Sequence, residues 1–282
     1  MTTYAVTGAT GHFGQVALKF LHQFLQPGDA LIALARNLEK AQKLVPDNVP
    51  VRLGDYDDVT SLTQSLAGID RLLFVSSQPG QKVSRADQHQ NVVNAAKAAG
   101  VKFIAYTSFP QAPTNPASLA ADHKATEAMI ATSGIKHSFL RNNWYLENEA
   151  STLKAAANGK DFIYSAADGK AGWALEREYA EAAARVMTLT DPQPVYEFAG
   201  APRTYADLAH AIPGMFHVKL VSDADYAAGL QQAGLPKPVA ELIAGFQTVI
   251  RNGGLQPTTT DLTQVLGHPL TPLAEAIQEV LA

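Results

Sequence analysis

Through the first half of this 282-residue chain, short apolar runs alternate with longer stretches in which apolar residues recur at helical spacing. Tyr4–Val6, Ala30–Ala35, Val51–Leu53, Arg71–Val75, Phe103–Thr107 and Ser138–Leu140 are short and mostly apolar, the pattern of strands buried on both faces. Between them, Val16–Leu25, Leu38–Val45, Val59–Leu66, Gln88–Ala99 and Ala120–Thr132 are amphipathic and long enough for crossover helices. Strands separated in this way cannot pair as hairpins, so right-handed βαβ connections and a doubly wound parallel α/β sheet are predicted. After about residue 143 the alternation becomes irregular, with breaks at Asp168-Gly169-Lys170, Gly200-Ala201-Pro202, Leu235-Pro236-Lys237-Pro238 and Asn252-Gly253-Gly254. Residues 1–142 are therefore expected to form the sheet domain and 143–282 a smaller mixed lobe, with Val195–Ala199 returning as a strand to the main sheet.

The first strand runs into Thr7-Gly8-Ala9-Thr10-Gly11-His12-Phe13-Gly14, and helical spacing resumes at Val16, Ala17, Phe20, Leu21 and Phe24. Glycines at this strand-to-helix turn permit a tight bend, close approach of backbone N–H groups to a pyrophosphate, and close packing of helix on strand. The segment Gly8–Gly14 therefore reads as a dinucleotide cradle: Gly8, Ala9, Thr10, Gly11, His12, Phe13 and Gly14 are candidate cofactor-binding residues, and the sheet is Rossmann-type.

Composition narrows the choices. With 46% hydrophobic and 17% charged residues the chain has ample material for a core, and its net charge of −4 with no basic cluster argues against nucleic acid as a partner. Absence of cysteine excludes disulfides, thiolate catalysis and iron–sulfur clusters. No apolar run approaches the ~20 residues of a membrane span, so a cytoplasmic protein is expected. The eight histidines have no metal-ligand spacing, and no metal site is expected.

Ligands on such sheets bind beyond the carboxyl ends of the strands. At the end of the second strand, roughly 20 residues past the glycines, an acidic residue would suit the ribose hydroxyls of NAD, whereas an arginine suits the 2′-phosphate of NADP. The chain has Arg36 there, so NADP(H) is favoured over NAD(H), with a solvated strand-end charge as the alternative. Lys40 and Lys43 follow on a helix for which Asn37 is a plausible N-cap, where either adds positive field near that phosphate or, as the preferred reading, lies on a solvated helix face. Asp55 reads either as an acceptor for the adenine amino group or as a turn former. Ser76, Ser77 and Gln78, opening the loop that continues to Pro79-Gly80, read as ribose and phosphate contacts or as a simple turn.

The commonest reductases on this fold protonate through a tyrosine whose pKa is lowered by a lysine four residues later. With Glu127 as landmark, the extended pattern Tyr-x-x-x-Lys-x-x-x-Glu falls on Leu119 and His123, so both catalytic residues are replaced. His123 is either a contact to the nicotinamide ribose or a surface imidazole beside Asp122 and Lys124. No general acid is identified.

The ordered set Thr7–Gly14, Ala35-Arg36-Asn37, Asn94–Ser108 and Leu140–Tyr145 resembles the NmrA-like branch of the atypical short-chain dehydrogenases, and within it the bacterial NAD(P)H:quinone oxidoreductase 2 type. The missing tyrosine is itself a feature of that branch. The resemblance continues through Asp168-Gly169-Lys170, Gly234-Leu235-Pro236 and Gly267-His268-Pro269. It implies NADPH held by the glycine loop and Arg36, further contacts from Ser76–Gln78 and from Leu140, Arg141 and Asn142, and a quinone between the lobes near Asn143, Trp144 and Tyr145. In that reading Asn143 donates to a quinone oxygen and Trp144 is an aromatic wall, with plain core packing as the alternative for Trp144. The branch also implies an arginine a few residues before Tyr179. The chain reads Ala174-Leu175-Glu176-Arg177-Glu178-Tyr179, which leaves that contact shifted to Arg177 or absent. Hydroquinone oxygens are far more acidic than an alcohol, so hydride transfer to a quinone has less need of a tuned acid. Two other functions fit the same fold: a non-catalytic NADP(H) sensor acting on a protein partner, and a double-bond reductase, for which the expected lysine is missing.

Overall fold

A computed structural model describes residues 1–78, 82–256 and 259–282. Pro79 and Gly80, part of the loop expected after the fourth strand, lie outside the described residues. In chain order the elements are β1 Thr3–Val6, α1 His12–Phe24, β2 Ala30–Ala35, α2 Leu38–Gln42, β3 Val51–Leu53, α3 Val59–Ser65, β4 Arg71–Phe74, α4 Arg85–Ala98, β5 Phe103–Ser108, α5 Ser118–Ser133 and β6 Lys136–Asn142. They continue with α6 Ala150–Ala157, β7 Phe162–Tyr164, β8 Lys170–Ala171, α7 Glu176–Thr188, β9 Val195–Phe198, β10 Arg203–Thr204 and α8 Tyr205–Ala211. The last are β11 Val218–Leu220, α9 Asp223–Gln232, α10 Lys237–Arg251, α11 Asp261–Leu266 and α12 Leu273–Leu281.

Seven strands form one parallel sheet in the order β3-β2-β1-β4-β5-β6-β9. The chain winds outward from β1 to β3, then crosses back to place β4 on the other side of β1. Ligands bind at such a reversal because the loops on either side part there. Side-chain alternation divides the core. Tyr4, Val6, Leu31, Ala33, Leu73 and Ala105 pack toward α1, α7 and α11, whereas Ala5, Ile32, Leu72, Phe74 and Ile104 pack toward α3, α4 and α5. Burial on both faces explains why Ala30–Ala35 is apolar throughout.

Helix starts differ from the periodic pattern where caps decide them. Ser84 caps α4 by accepting from the Asp87 N–H, so this helix begins ahead of its first apolar residue. Likewise α1 starts at His12, directly out of the glycine turn. The second half of the chain divides its material. α7, β9 and α11 join the sheet layer, β9 pairing with β6 and α7 packing on α1. The remainder builds a separate core around Phe162, Tyr164, Trp173, Tyr205, Leu208, Ile250 and Ile277, to which Phe109, Ala117 and Ala120 from the β5–α5 region contribute. Two small strand pairs, β7 with β11 and β8 with β10, edge this lobe.

Candidate dinucleotide site

The turn between β1 and α1 is shaped by its glycines. Gly8 has φ +64°, the left-handed region, and a Cβ on Gly14 would lie 2.2 Å from the Gly8 carbonyl oxygen. α1 therefore approaches the loop as closely as only glycine allows. No side chain caps α1 at Gly11, so the N–H groups of its first turn face outward without intrahelical partners, the condition that suits an anion.

A cleft of about 470 Å³ opens here, walled by Gly8, Thr10, Gly11, His12, Phe13 and Gly14 on one side and by the end of β2 with Arg36, Asn37 and Lys40 on another. Val75, Ser76, Ser77 and Gln78 follow β4 into the same wall, and Gly54, Tyr56, Gln88 and Glu176 complete it. Most of the expected cradle thus meets in one place. Ala9 is fully buried beneath the loop. Arg36 is exposed, and among the described residues its guanidinium makes no ion pair. Asn37 caps α2 by accepting from the Lys40 N–H at 2.8 Å, and Lys43 turns to Glu39 at 2.7 Å and is absent from the cleft wall.

The β4 loop is held from behind. Ser76 N–H donates to the Thr107 hydroxyl (2.8 Å) and Ser77 N–H to His89 Nε2 (3.0 Å). His89 Nε2 accepts, so its Nδ1–H donates to Thr126 (2.7 Å), which in turn donates to the Asp122 carbonyl. Burial, with Arg85 nearby, pushes the His89 pKa down to about 3. His123 lies in the same interior network, not on an exposed helix face: it is 4% exposed, Arg85 donates to its Nε2 (3.1 Å), and its Nδ1 meets the Tyr106 hydroxyl (2.9 Å). Its pKa is held well below the ordinary value by burial and by Arg85. Both ring nitrogens are therefore engaged away from the cleft, and the surface-imidazole expectation is corrected by the packing of Phe109 over the ring.

Asp55 forms a turn, accepting from the Asp57 N–H at 3.1 Å, and is not part of the cleft wall. Its neighbour Tyr56 is. The Tyr56 hydroxyl donates to the Val75 carbonyl and meets Thr7, and burial pushes its pKa up, so it ties the strands together and holds its proton. Gln88 is 3% exposed; its amide donates to Asp57 (2.8 Å), while Oε1 has no partner among the described residues. A buried acceptor on the wall fits a ligand bearing N–H or O–H groups. No single-residue pattern announced Tyr56 or Gln88, and Lys40, for which the sequence favoured a solvated helix face, lines the cleft.

Leu140, Arg141 and Asn142 lie on β6 outside this wall. Leu140 is core, and Arg141 binds Glu127 through two hydrogen bonds (2.9 and 2.7 Å) and Glu197 at 2.8 Å. Asn142 donates to the Tyr145 hydroxyl at 3.0 Å. Asn143 Oδ1 accepts from the N–H groups of Trp144 and Gly172, and its amide donates to the Leu255 carbonyl, so it joins β6 to the second lobe. Trp144 packs on Phe246 and donates its indole N–H to Glu149 (3.0 Å); Tyr145 is half-buried between Phe13 and Tyr179. Arg177 reaches Glu279 and Thr271 and does not line the cleft, which Glu176 does. Among the described residues no group of histidines and acids could hold a metal.

A sequence model of the NAD(P)H-binding family matches residues 8–171. Quinone oxidoreductase 2 of Escherichia coli is 41% identical over 283 residues, covering 98% of each chain. The NmrA-like family domain-containing oxidoreductase of Aspergillus flavus is 27% identical over 305 residues, covering 99% of this chain and 94% of its own. The crystal structure of the Escherichia coli NADPH-dependent quinone oxidoreductase complexed with NADPH superposes with a TM-score of 0.92 at 40% identity, over 99% of this chain and 100% of that one. The glycine turn that opens the cleft is thus the start of a family match that runs into the second lobe, and the chain belongs to the NAD(P)H-binding family, among the NmrA-like oxidoreductases that include the bacterial quinone oxidoreductase 2.

Proposed function

We propose that the chain is an NADPH-dependent reductase that passes hydride to a quinone-type acceptor. The observation that carries this reading is the pairing, in one cleft, of a glycine-built anion cradle with Arg36, a guanidinium that has no ion-pair partner among the described residues. The relatives described above support the quinone as acceptor. The unpartnered Oε1 of Gln88 and the uncapped first turn of α1 fit a dinucleotide's hydroxyl and phosphate groups.

When bound, NADPH supplies the hydride. The protein's share is placement: the glycine turn admits the diphosphate, Arg36 with Lys40 receives the 2′-phosphate, and Ser76–Gln78 take up the ribose side. His89 and Thr107 hold that last loop through its backbone N–H groups and also meet the Ser77 and Ser76 hydroxyls (3.2 and 3.3 Å), which fixes its course along the cleft. The acceptor is placed beyond β6, where Asn143, Trp144 and Tyr145 join sheet and lobe. Tyr56, the tyrosine on the cleft wall, donates to the Val75 carbonyl and burial pushes its pKa up, so it is not assigned as a general acid. Among the described residues no helix is long and apolar enough to cross a membrane, and we place the chain in the cytoplasm, where NADPH is maintained.

The test is purified protein mixed with NADPH and a panel of simple quinones, following reduced-nicotinamide absorbance, with NADH in parallel. Quinone-dependent oxidation that favours NADPH is the expected result. Tight NADP(H) binding without turnover across the panel would instead assign the protein to a sensing role.

A further inference from the structure

Within a cleft suited to a diphosphate, one wall residue has the wrong sign. Glu176 lines the same cleft as the three glycines, with its side chain 15% exposed. The first turn of α7, where it sits, already carries other acids. The Glu176 N–H donates to the carboxylate of Glu147 (3.0 and 2.9 Å), and the Leu175 N–H donates to Glu178. Among the described residues, the basic group in contact with Glu176 is His12, whose Nδ1 lies 2.8 Å from Oε2.

His12 is also the first residue of α1, on the turn that receives the diphosphate. The other charged groups around this contact are accounted for. Arg177 is turned to Glu279, Glu178 is buried and accepts from Leu175 and Thr271, and Arg36 and Lys40 belong to the wall formed by β2 and α2. Tyr145, nearby on the chain from Glu147, holds its hydroxyl against Asn142. An anion arriving at the glycine turn therefore meets a carboxylate whose neutralisation rests on one imidazole.

Building on the NADPH reading above, we propose that His12 and Glu176 form a proton-linked clasp on the dinucleotide's diphosphate: His12 is cationic in the complex, bridging the carboxylate and the diphosphate, so that binding takes up a proton. An imidazole ordinarily titrates near ~6.5, and opposite charges within ~4–6 Å favour its charged form. The diphosphate adds two further negative charges on the favourable side. Affinity consequently falls as pH rises and the complex loses that proton. The diphosphate is common to NADPH and NADH, so the clasp acts on both alike, unlike Arg36.

Calorimetric titration of NADP⁺ into the full chain at pH 7.5, in two buffers of different ionisation enthalpy, counts the protons taken up per cofactor bound. At this pH the 2′-phosphate, with a second pKa of ≈ 6, is almost fully ionised. The difference between wild type and His12→Gln also cancels its residual contribution. Wild type is expected to take up a measurable fraction of a proton beyond His12→Gln. Glu176→Gln is expected to tighten binding of NADP⁺ and NAD⁺ by similar factors, about three- to tenfold at pH 8.5, as removal of a like charge near the surface implies. Equal proton counts in wild type and His12→Gln, or weaker binding by Glu176→Gln, would overturn the clasp while leaving the cofactor reading intact. No binding of NADP⁺ by any of the proteins would overturn both.

Discussion

Arg36 and His89 differ in what their surroundings ask of them. Arg36 is exposed at the end of β2 with its guanidinium open to a ligand. Its replacement by Ala should weaken NADPH binding about ten- to hundredfold, the range for charge-assisted hydrogen bonds, and leave NADH nearly unchanged. Fluorescence titration of both cofactors checks this, and an unchanged ratio would place the 2′-phosphate elsewhere. His89 and His123 are buried neutral, their folded-state pKa values lying below the ordinary ~6.5 because of burial and Arg85. The unfolded chain then binds the extra protons. Their contribution to stability is complete above about pH 6.5 and is lost as pH falls below it, toward about 3 in the case of His89, at up to about 1.4 kcal/mol per pH unit for each histidine. Urea unfolding at pH 7 and pH 5 should show this decline, with a shallower one in His89→Gln. The sequence identified Arg36 by its place after a strand. It could not tell that His123 is interior, because Asp122 and Lys124 beside it look like a solvated face, and only packing beneath Phe109 turns the ring inward.

At the scale of elements, the β1 turn and α1 are a single device. The Gly8 carbonyl occupies the space a Gly14 side chain would need, so Gly14→Val forces α1 away from the loop. The expected outcome is loss of measurable NADP(H) binding together with a destabilisation above the usual 1–3 kcal/mol of overpacking, since backbone rather than side chain must yield. Thermal melts with and without cofactor measure both effects. A variant that melts like wild type and binds normally would refute the close-approach argument. The glycine spacing was legible because the geometry is local. By contrast, what stands behind Ser76–Gln78 was not legible, since His89 and Thr107 reach that loop from α4 and β5.

Across the whole molecule, Arg141 joins what the chain order separates. From β6 it binds Glu127 of α5 and Glu197 of β9, and Glu127 also accepts from Ser108 at the end of β5. Its side chain is 14% exposed and that of Glu127 6%. Replacing Arg141 by Met strands these carboxylates, and a loss of about 3–5 kcal/mol in urea unfolding is expected, whereas Glu197→Gln, on the more open side, should be milder. Equal and small losses would show the network to be dispensable. Glu127 and Arg141 were both visible in the sequence, one as a landmark and one as an expected cofactor contact. Their mutual pairing was not, because it depends on β6 lying between β5 and β9. The sequence by itself determined the strands, the crossover helices, the glycine turn and the cationic strand end, since each follows from periodicity or backbone freedom within a few residues. Tertiary structure decided which of the charges on α7 lines the cleft. Glu176 and Arg177 are neighbours about 100° apart around α7. One enters the cleft and the other meets Glu279, because the phase of that helix against α1 and the sheet is set by packing between residues far apart in the chain.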